Sequence, residues 1–197
     1  MADIATTAEG GGADWINATF GTGRLLLRPL RASDAGPMEL YAGDARVARM
    51  TTSIPHPYPP GAAAAYIERQ GRPGAAERVW VIDGTPIGAA EMIGIVSIRR
   101  ASSEIGYWVG PPFWNTGYAS EAVEAVLATL FAEDVPEVRA TVFADNPASA
   151  HVLEKLGFVE IGLIETFSVA RGEAAPTRVF RLAKAAFQAA SDEAGGR

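Results

Sequence analysis

The stretch PFWNTGYASEAV, Pro112 to Val123, changes character half-way along. Its first half, with proline, asparagine, threonine and glycine, is turn-forming. Its second half opens an apolar stripe at helical spacing, Val123, Val126, Leu127, Leu130 and Phe131, which must stop before Pro136. A helix that begins at such a loop has first-turn N–H groups without intrahelical partners, at the positive end of its dipole. Gly117 has no Cβ to hold a ligand away from the backbone, and Thr116 and Ser120 add hydroxyls. That chemistry suits a pyrophosphate. The same residues also describe an ordinary turn and helix cap, so the loop alone leaves both readings open. Neither G-x-x-x-x-G-K-[ST] nor a helix-opening G-x-G-x-x-G occurs.

Working outward, SSEIGYWVG (Ser102–Gly110) reads as a strand with Glu104, Gly106 and Trp108 on one face and Ile105, Tyr107 and Val109 on the other. Upstream, RVWVID and IGAAEMIGIVSIRR around GTP read as a hairpin. RLLLRPL near the start reads as a strand, after which Ser33 or Asp34 caps a helix through Met38, Leu40 and Tyr41. A proline-rich loop, TTSIPHPYPPG, leads to a helix over Gly61–Gln70. Downstream, EVRATVFA (Glu137–Ala144) is a strand. DNPASAHVLEKLGF then carries helix punctuation: Asn146 at the N-cap, Pro147 at the first helical position and Gly157 just past the end. Two more strands follow. Hairpin-linked strands followed by a strand–helix–strand crossing imply a mixed sheet with helices on both faces.

The 197 residues suffice for one domain with a sizeable core. A net charge of −6 disfavours nucleic acid, whose phosphates need a basic footprint. The absence of cysteine removes disulfides, thiolate metal sites and a cysteine nucleophile, and fits a reducing cytoplasm. His56 and His151 have no second ligand at a metal spacing, so no metal is expected. The first twenty residues lack the basic and apolar regions of a signal peptide. No stretch reaches the roughly 20 apolar residues of a membrane span, so no membrane partner is expected.

WNTGYASEAV, followed one helix and one strand later by NPASAHVLEKLGF, resembles the GNAT superfamily of N-acetyltransferases, nearest to its RimJ/RimL-type branch. The superfamily's phosphate loop, Gln/Arg-x-x-Gly-x-Gly/Ala, is matched by Trp114-Asn115-Thr116-Gly117-Tyr118-Ala119, with tryptophan in the first place. EIGYWVG before the loop matches as well, and the resemblance covers roughly Arg24 to Leu182. It implies an α/β (α+β) GNAT-like fold, a mixed, mostly antiparallel twisted sheet with two splayed central strands. One domain over residues 23–187 would lie between flexible tails, 1–22 and 188–197.

The resemblance further implies acetyl-CoA as co-substrate, wedged between Glu104–Val109 and Glu137–Ala144. Pantetheine amides would pair with backbone around Trp108 and Val109, and the Val109 N–H would polarise the thioester carbonyl. The pyrophosphate would sit on N–H groups from Asn115 through Thr116, Gly117, Tyr118 and Ala119 to Ser120, with Asn146 and Ser149 facing the thioester end. The acceptor would be a small-molecule amine or a protein N-terminus, and a homodimer is among the expected assemblies.

Without cysteine the simplest scheme is direct attack by the amine in a ternary complex. Many relatives place a tyrosine immediately before the EKLGF run, where this chain has Leu153, so Ser149 is the remaining donor to the leaving thiolate. Glu104 is the first choice of base, with Glu160 and Glu165 as rivals. A structural carboxylate is the competing reading of Glu104, and helix-capping the competing reading of Ser149. A non-catalytic acyl-CoA-binding module is the alternative for the whole protein.

Overall fold

The computed structural model describes residues 19–195, and side chains through residue 190. In chain order the elements are β1 (Phe20–Gly21), β2 (Leu26–Arg28), α1 (Ala35–Ala42), α2 (Ala45–Ala48), α3 (Ala62–Gln70), β3 (Glu77–Asp83), β4 (Gly94–Arg99), β5 (Glu104–Val109), α4 (Tyr118–Ala132), β6 (Glu137–Phe143), α5 (Pro147–Lys155), β7 (Val159–Ser168), β8 (Glu173–Ala183) and α6 (Lys184–Gly195). The eight strands form one sheet in the order β1-β2-β3-β4-β5-β6-β8-β7. Every neighbouring pair is antiparallel except β5 and β6, which run parallel and are joined through α4.

That parallel pair is where the sheet opens. β4 and β5 stay in register from Arg99↔Glu104 to Gly94↔Val109. β5 and β6 share one registered pair, Glu104↔Arg139, closed by Arg139 N–H donating to Ser103 O at 3.0 Å. Beyond it the strands part, so the backbone edges facing each other across the gap lack a ladder partner. Unpaired strand edges inside a domain are costly unless something hydrogen-bonds to them.

Side chains alternate across the sheet into two cores. On one face α4 and α5 bury Val123, Val126, Leu127, Leu130 and Leu153 against Leu27, Ile82, Phe180 and their neighbours. On the other, α1, α2 and α3 pack Met38, Val47 and Ala63 against Val81, Ile95 and Trp108. The α4 stripe predicted from its spacing is buried throughout, each side chain contributing about 1.5–3 kcal/mol. Leu127→Ala is therefore expected to cost about 2–5 kcal/mol, measured by urea unfolding.

Three local expectations change. Residues 1–18 of the expected N-terminal tail lie outside the described residues, but Phe20–Gly21 pairs with Leu26–Leu27, and Phe20 stacks edge-on against Trp80 at 6.0 Å. The expected C-terminal tail from 188 continues α6 to Gly195. Asp34 makes no capping bond to α1. Instead it turns inward to Arg28, forming two bonds at 2.8 and 2.9 Å. A buried guanidinium competes for that carboxylate more strongly than a helix amide does.

Candidate active site

A cleft of about 1640 Å³ runs through the gap between β5 and β6, from the head of α4 to the helices α1–α3. Among the residues proposed for the site from sequence, Glu104, Trp108, Val109, the loop from Trp114 to Ser120, Asn146 and Ser149 line it.

The loop is built from short-range constraints. Gly110 leaves the sheet while its N–H still reaches Ile93 O at 2.8 Å, and a 3-10 turn follows over Pro111–Phe113. The indole N–H of Trp114 returns to Val109 O at 2.6 Å, and Thr116 Oγ1 donates to Phe113 O at 2.7 Å. The Thr116 hydroxyl proton is thus committed to the loop and is not offered to a ligand. Asn115 (φ 59°) and Gly117 (φ 81°) are left-handed, and Gly117 is the N-cap of α4 without a capping side chain. The first N–H groups of a 15-residue helix therefore face the cleft mouth, and among them only that of Tyr118 meets a side chain, the Thr116 hydroxyl oxygen at a long 3.4 Å.

A contact that sequence reading missed braces this loop from outside. Glu121 accepts from Arg24 Nε at 2.7 Å and from the Arg24 backbone N–H at 2.8 Å. Arg24 also donates to Thr116 O at 3.1 Å and lies over the Tyr118 ring. Burial works to raise the Glu121 carboxyl, but the hydrogen bonds of Thr22 and Arg24 outweigh it and hold it below its usual range. No local pattern announces a pair 97 residues apart.

In the gap itself, strand alternation decides which backbone is offered. Gly110 N–H and the paired Trp108 face β4, so the N–H and C=O of Tyr107 and Val109 face β6. Trp108 therefore contributes its ring to the cleft wall rather than backbone bonds, a correction to the expected pair. Val109 O is already taken by Trp114, which leaves its N–H as the polar group aimed into the gap.

From the opposite wall, α5 presents Ser149. Asn146 Oδ1 accepts from Ser149 N at 3.1 Å, as its N-cap position predicts. The Ser149 hydroxyl lies 2.9 Å from the phenol oxygen of Tyr107. Leu153 is fully buried beneath the helix in the core, so that position offers the cleft nothing.

On the α1–α3 side the cleft floor carries a cross-strand row, Glu77, Arg99, Glu104 and Thr141. Glu104 Oε2 accepts from Arg99 at 2.8 Å and Oε1 from Thr141 at 2.7 Å. Both oxygens of the expected base are engaged at the closed end of the splay, which favours the structural-carboxylate reading. Glu77, which sequence reading missed, is held loosely by Arg99 at 3.5 Å and by Tyr66 and Gln70 at 3.4 Å. Opposite charges at matched distances from the β3–β4 turn would have revealed it. The rivals do not line the cleft: Glu160 pairs with Arg178, and Glu165 lies on the edge strand β7. His56 is also outside, against Gly43 O.

The GNAT acetyltransferase domain family matches residues 24–159 of the chain. The chain belongs to the GNAT acetyltransferases. A curated relative, the uncharacterized N-acetyltransferase YoaA of Bacillus subtilis (strain 168), is 32% identical over 100 residues, 48% of this chain and 56% of YoaA. The chain thus matches little more than half the length of that relative. The spermidine N-acetyltransferase of Vibrio cholerae, solved with CoA and spermine, superposes with a TM-score of 0.70 at 18% identity, over 84% of this chain and 98% of that one. The ribosomal-protein-S5-alanine acetyltransferase of Vibrio fischeri gives 0.67 at 20% identity, over 85% and 97%. The structural likenesses establish the mixed GNAT fold, and the acyltransferase class comes from the domain family that matches residues 24–159. Among the described residues of this GNAT chain no cluster of His, Asp or Glu is arranged to hold a metal, and no helix is long and apolar enough to cross a membrane.

Proposed function

We propose that this GNAT acetyltransferase moves the acetyl group of acetyl-CoA directly to a primary amine, a protein or peptide N-terminus or a small-molecule amine, in a ternary complex. The observation that carries the reading is one continuous cleft joining the uncapped head of α4 to the unpaired edge of β5. Its residues fit the co-substrate. The N–H groups from Asn115 to Ser120 would hold the pyrophosphate, and the β5 edge at Tyr107 would pair the pantetheine. The Val109 N–H would polarise the thioester carbonyl. The amine forms the new C–N bond as the C–S bond breaks, and the proton it releases ends on the CoA sulfur. Ser149 lies on the wall facing that sulfur and assists its departure. Trp114 opening the loop and Ser149 on α5 favour a RimJ/RimL-like branch.

A thiol-release screen over N-terminal peptides, polyamines and small amines tests this proposal; release with none of them, despite acetyl-CoA binding, overturns it. The engaged carboxylate of Glu104 favours that second outcome, a non-catalytic acyl-CoA-binding module. Ser149→Ala is expected to lower kcat about ten- to a hundredfold, the low end of general-acid effects because a thiolate already leaves well. Glu104→Gln is expected to cost less than about tenfold; a larger loss with a displaced pH profile would restore it as the base.

A further inference from the structure

We propose that Tyr107 is a positioning residue for Ser149, fixing its hydroxyl at the thioester end of the cleft. This rests on the acetyl-transfer reading above. Tyr107 points from β5 across the gap to α5, and its phenol oxygen lies 2.9 Å from Ser149 Oγ and 3.0 Å from Ser149 O. A serine hydroxyl otherwise samples three staggered rotamers, and one in a first helical turn has its own backbone as an alternative partner. The Ser149 N–H is already fixed by Asn146. The backbone is therefore held by one side chain and the hydroxyl by another, 42 residues away.

The single phenol proton has two acceptors at nearly equal range. When it is given to Ser149 O, the phenol oxygen receives the Ser149 proton. When Ser149 turns its proton to the departing sulfur, the phenol O–H can swing to Ser149 Oγ and support the charge that develops there. Tyr107 keeps its proton throughout, because burial pushes its phenol well above the usual range, further than the Ser149 hydrogen bond pulls it down. It is consequently neither the acid nor a relay. The pair loses no proton net: Ser149 gives one to the sulfur and regains the one the amine releases.

The contact also compensates for Leu153. With that position buried in the core, no tyrosine reaches the cleft from the middle of α5. A phenol arrives instead from the opposite strand and acts through the serine.

The chain contains no cysteine, so Ser149→Cys places a single reactive thiol at this position. Tyr107→Phe in that background is expected to slow alkylation by iodoacetamide about tenfold at pH 7.5, because the thiolate loses its phenol donor. Equal rates would overturn the proposal. In the otherwise native chain, Tyr107→Phe is expected to lower kcat about as much as Ser149→Ala does, with KM for acetyl-CoA within twofold. The double variant is expected to lose nothing further. Unchanged kcat, a loss confined to KM, or independent losses that multiply would each overturn it. If the native chain shows no turnover, the acetyl-transfer reading fails, and the alkylation ratio separately reports whether the contact exists.

Discussion

Arg28→Met is expected to destabilise the domain by about 3–5 kcal/mol, the largest stability effect of any single change considered. Arg28 is 0% exposed, and all five of its N–H groups are used. Nε bonds Asp83 at 2.7 Å, both Nη atoms bond Asp34, and the remaining protons go to the carbonyls of Pro29 and Glu91. Methionine replaces the volume but leaves two carboxylates in the interior without a cation. Burial tends to raise the Asp83 carboxyl, yet the bonds from Thr85 and Arg28 outweigh it and hold it below its ordinary value of 3.8. A carboxylate depressed in the folded state contributes stability above its unfolded value, and that contribution is lost as pH falls through the folded one. The gap between native chain and variant should therefore be widest near pH 7 and narrow below about pH 4. Urea unfolding at pH 7 and at a pH well below 4 checks this, and a gap unchanged by acid would contradict the ion-pair account.

Gly117→Val is expected to weaken acetyl-CoA binding about a hundredfold, or roughly 2.7 kcal/mol, while leaving the fold intact. At φ 81° a side chain costs about 1–2 kcal/mol, more for a branched one, and its Cβ would come within 3.4 Å of Arg24 Nη2. The loop can relieve that strain by rotating its first-turn N–H groups away from the phosphates, and each lost charged hydrogen bond is worth about 1.5–3 kcal/mol. The buried stripe of α4 begins further on, at Ala122 and Val123, so the helix should persist. Calorimetric titration of the variant, with circular dichroism as control, reads both halves. Native affinity in a folded variant would remove the loop from the binding site.

What the sequence made legible was what lies close along the chain. The Trp114–Ala119 loop, the α4 stripe and the Asn146–Pro147–Gly157 punctuation are each set by residues within a turn or two of one another, and each appears where expected. The contacts that decide chemistry are long-range. Glu104 reads equally as a base or as a structural carboxylate until Arg99 and Thr141 are seen to hold it. Asp34 looks like a cap because the cap is local, whereas its partner Arg28 is reached only after the chain folds back into the core. Thr116 has a hydroxyl suited to phosphate, but Phe113 O claims it. Tyr107 and Ser149 belong to elements that meet only because β5 and β6 separate, and that separation is a property of the whole sheet.

The central claim is that the gap between β5 and β6 holds acetyl-CoA with its pyrophosphate at the head of α4. Isothermal titration of the native chain with acetyl-CoA tests it most directly. One site per chain is predicted, with binding weakened by free CoA as competitor and unaffected by ATP or a nicotinamide dinucleotide. No heat with acetyl-CoA from folded protein, or binding of a nucleotide in its place, would contradict it.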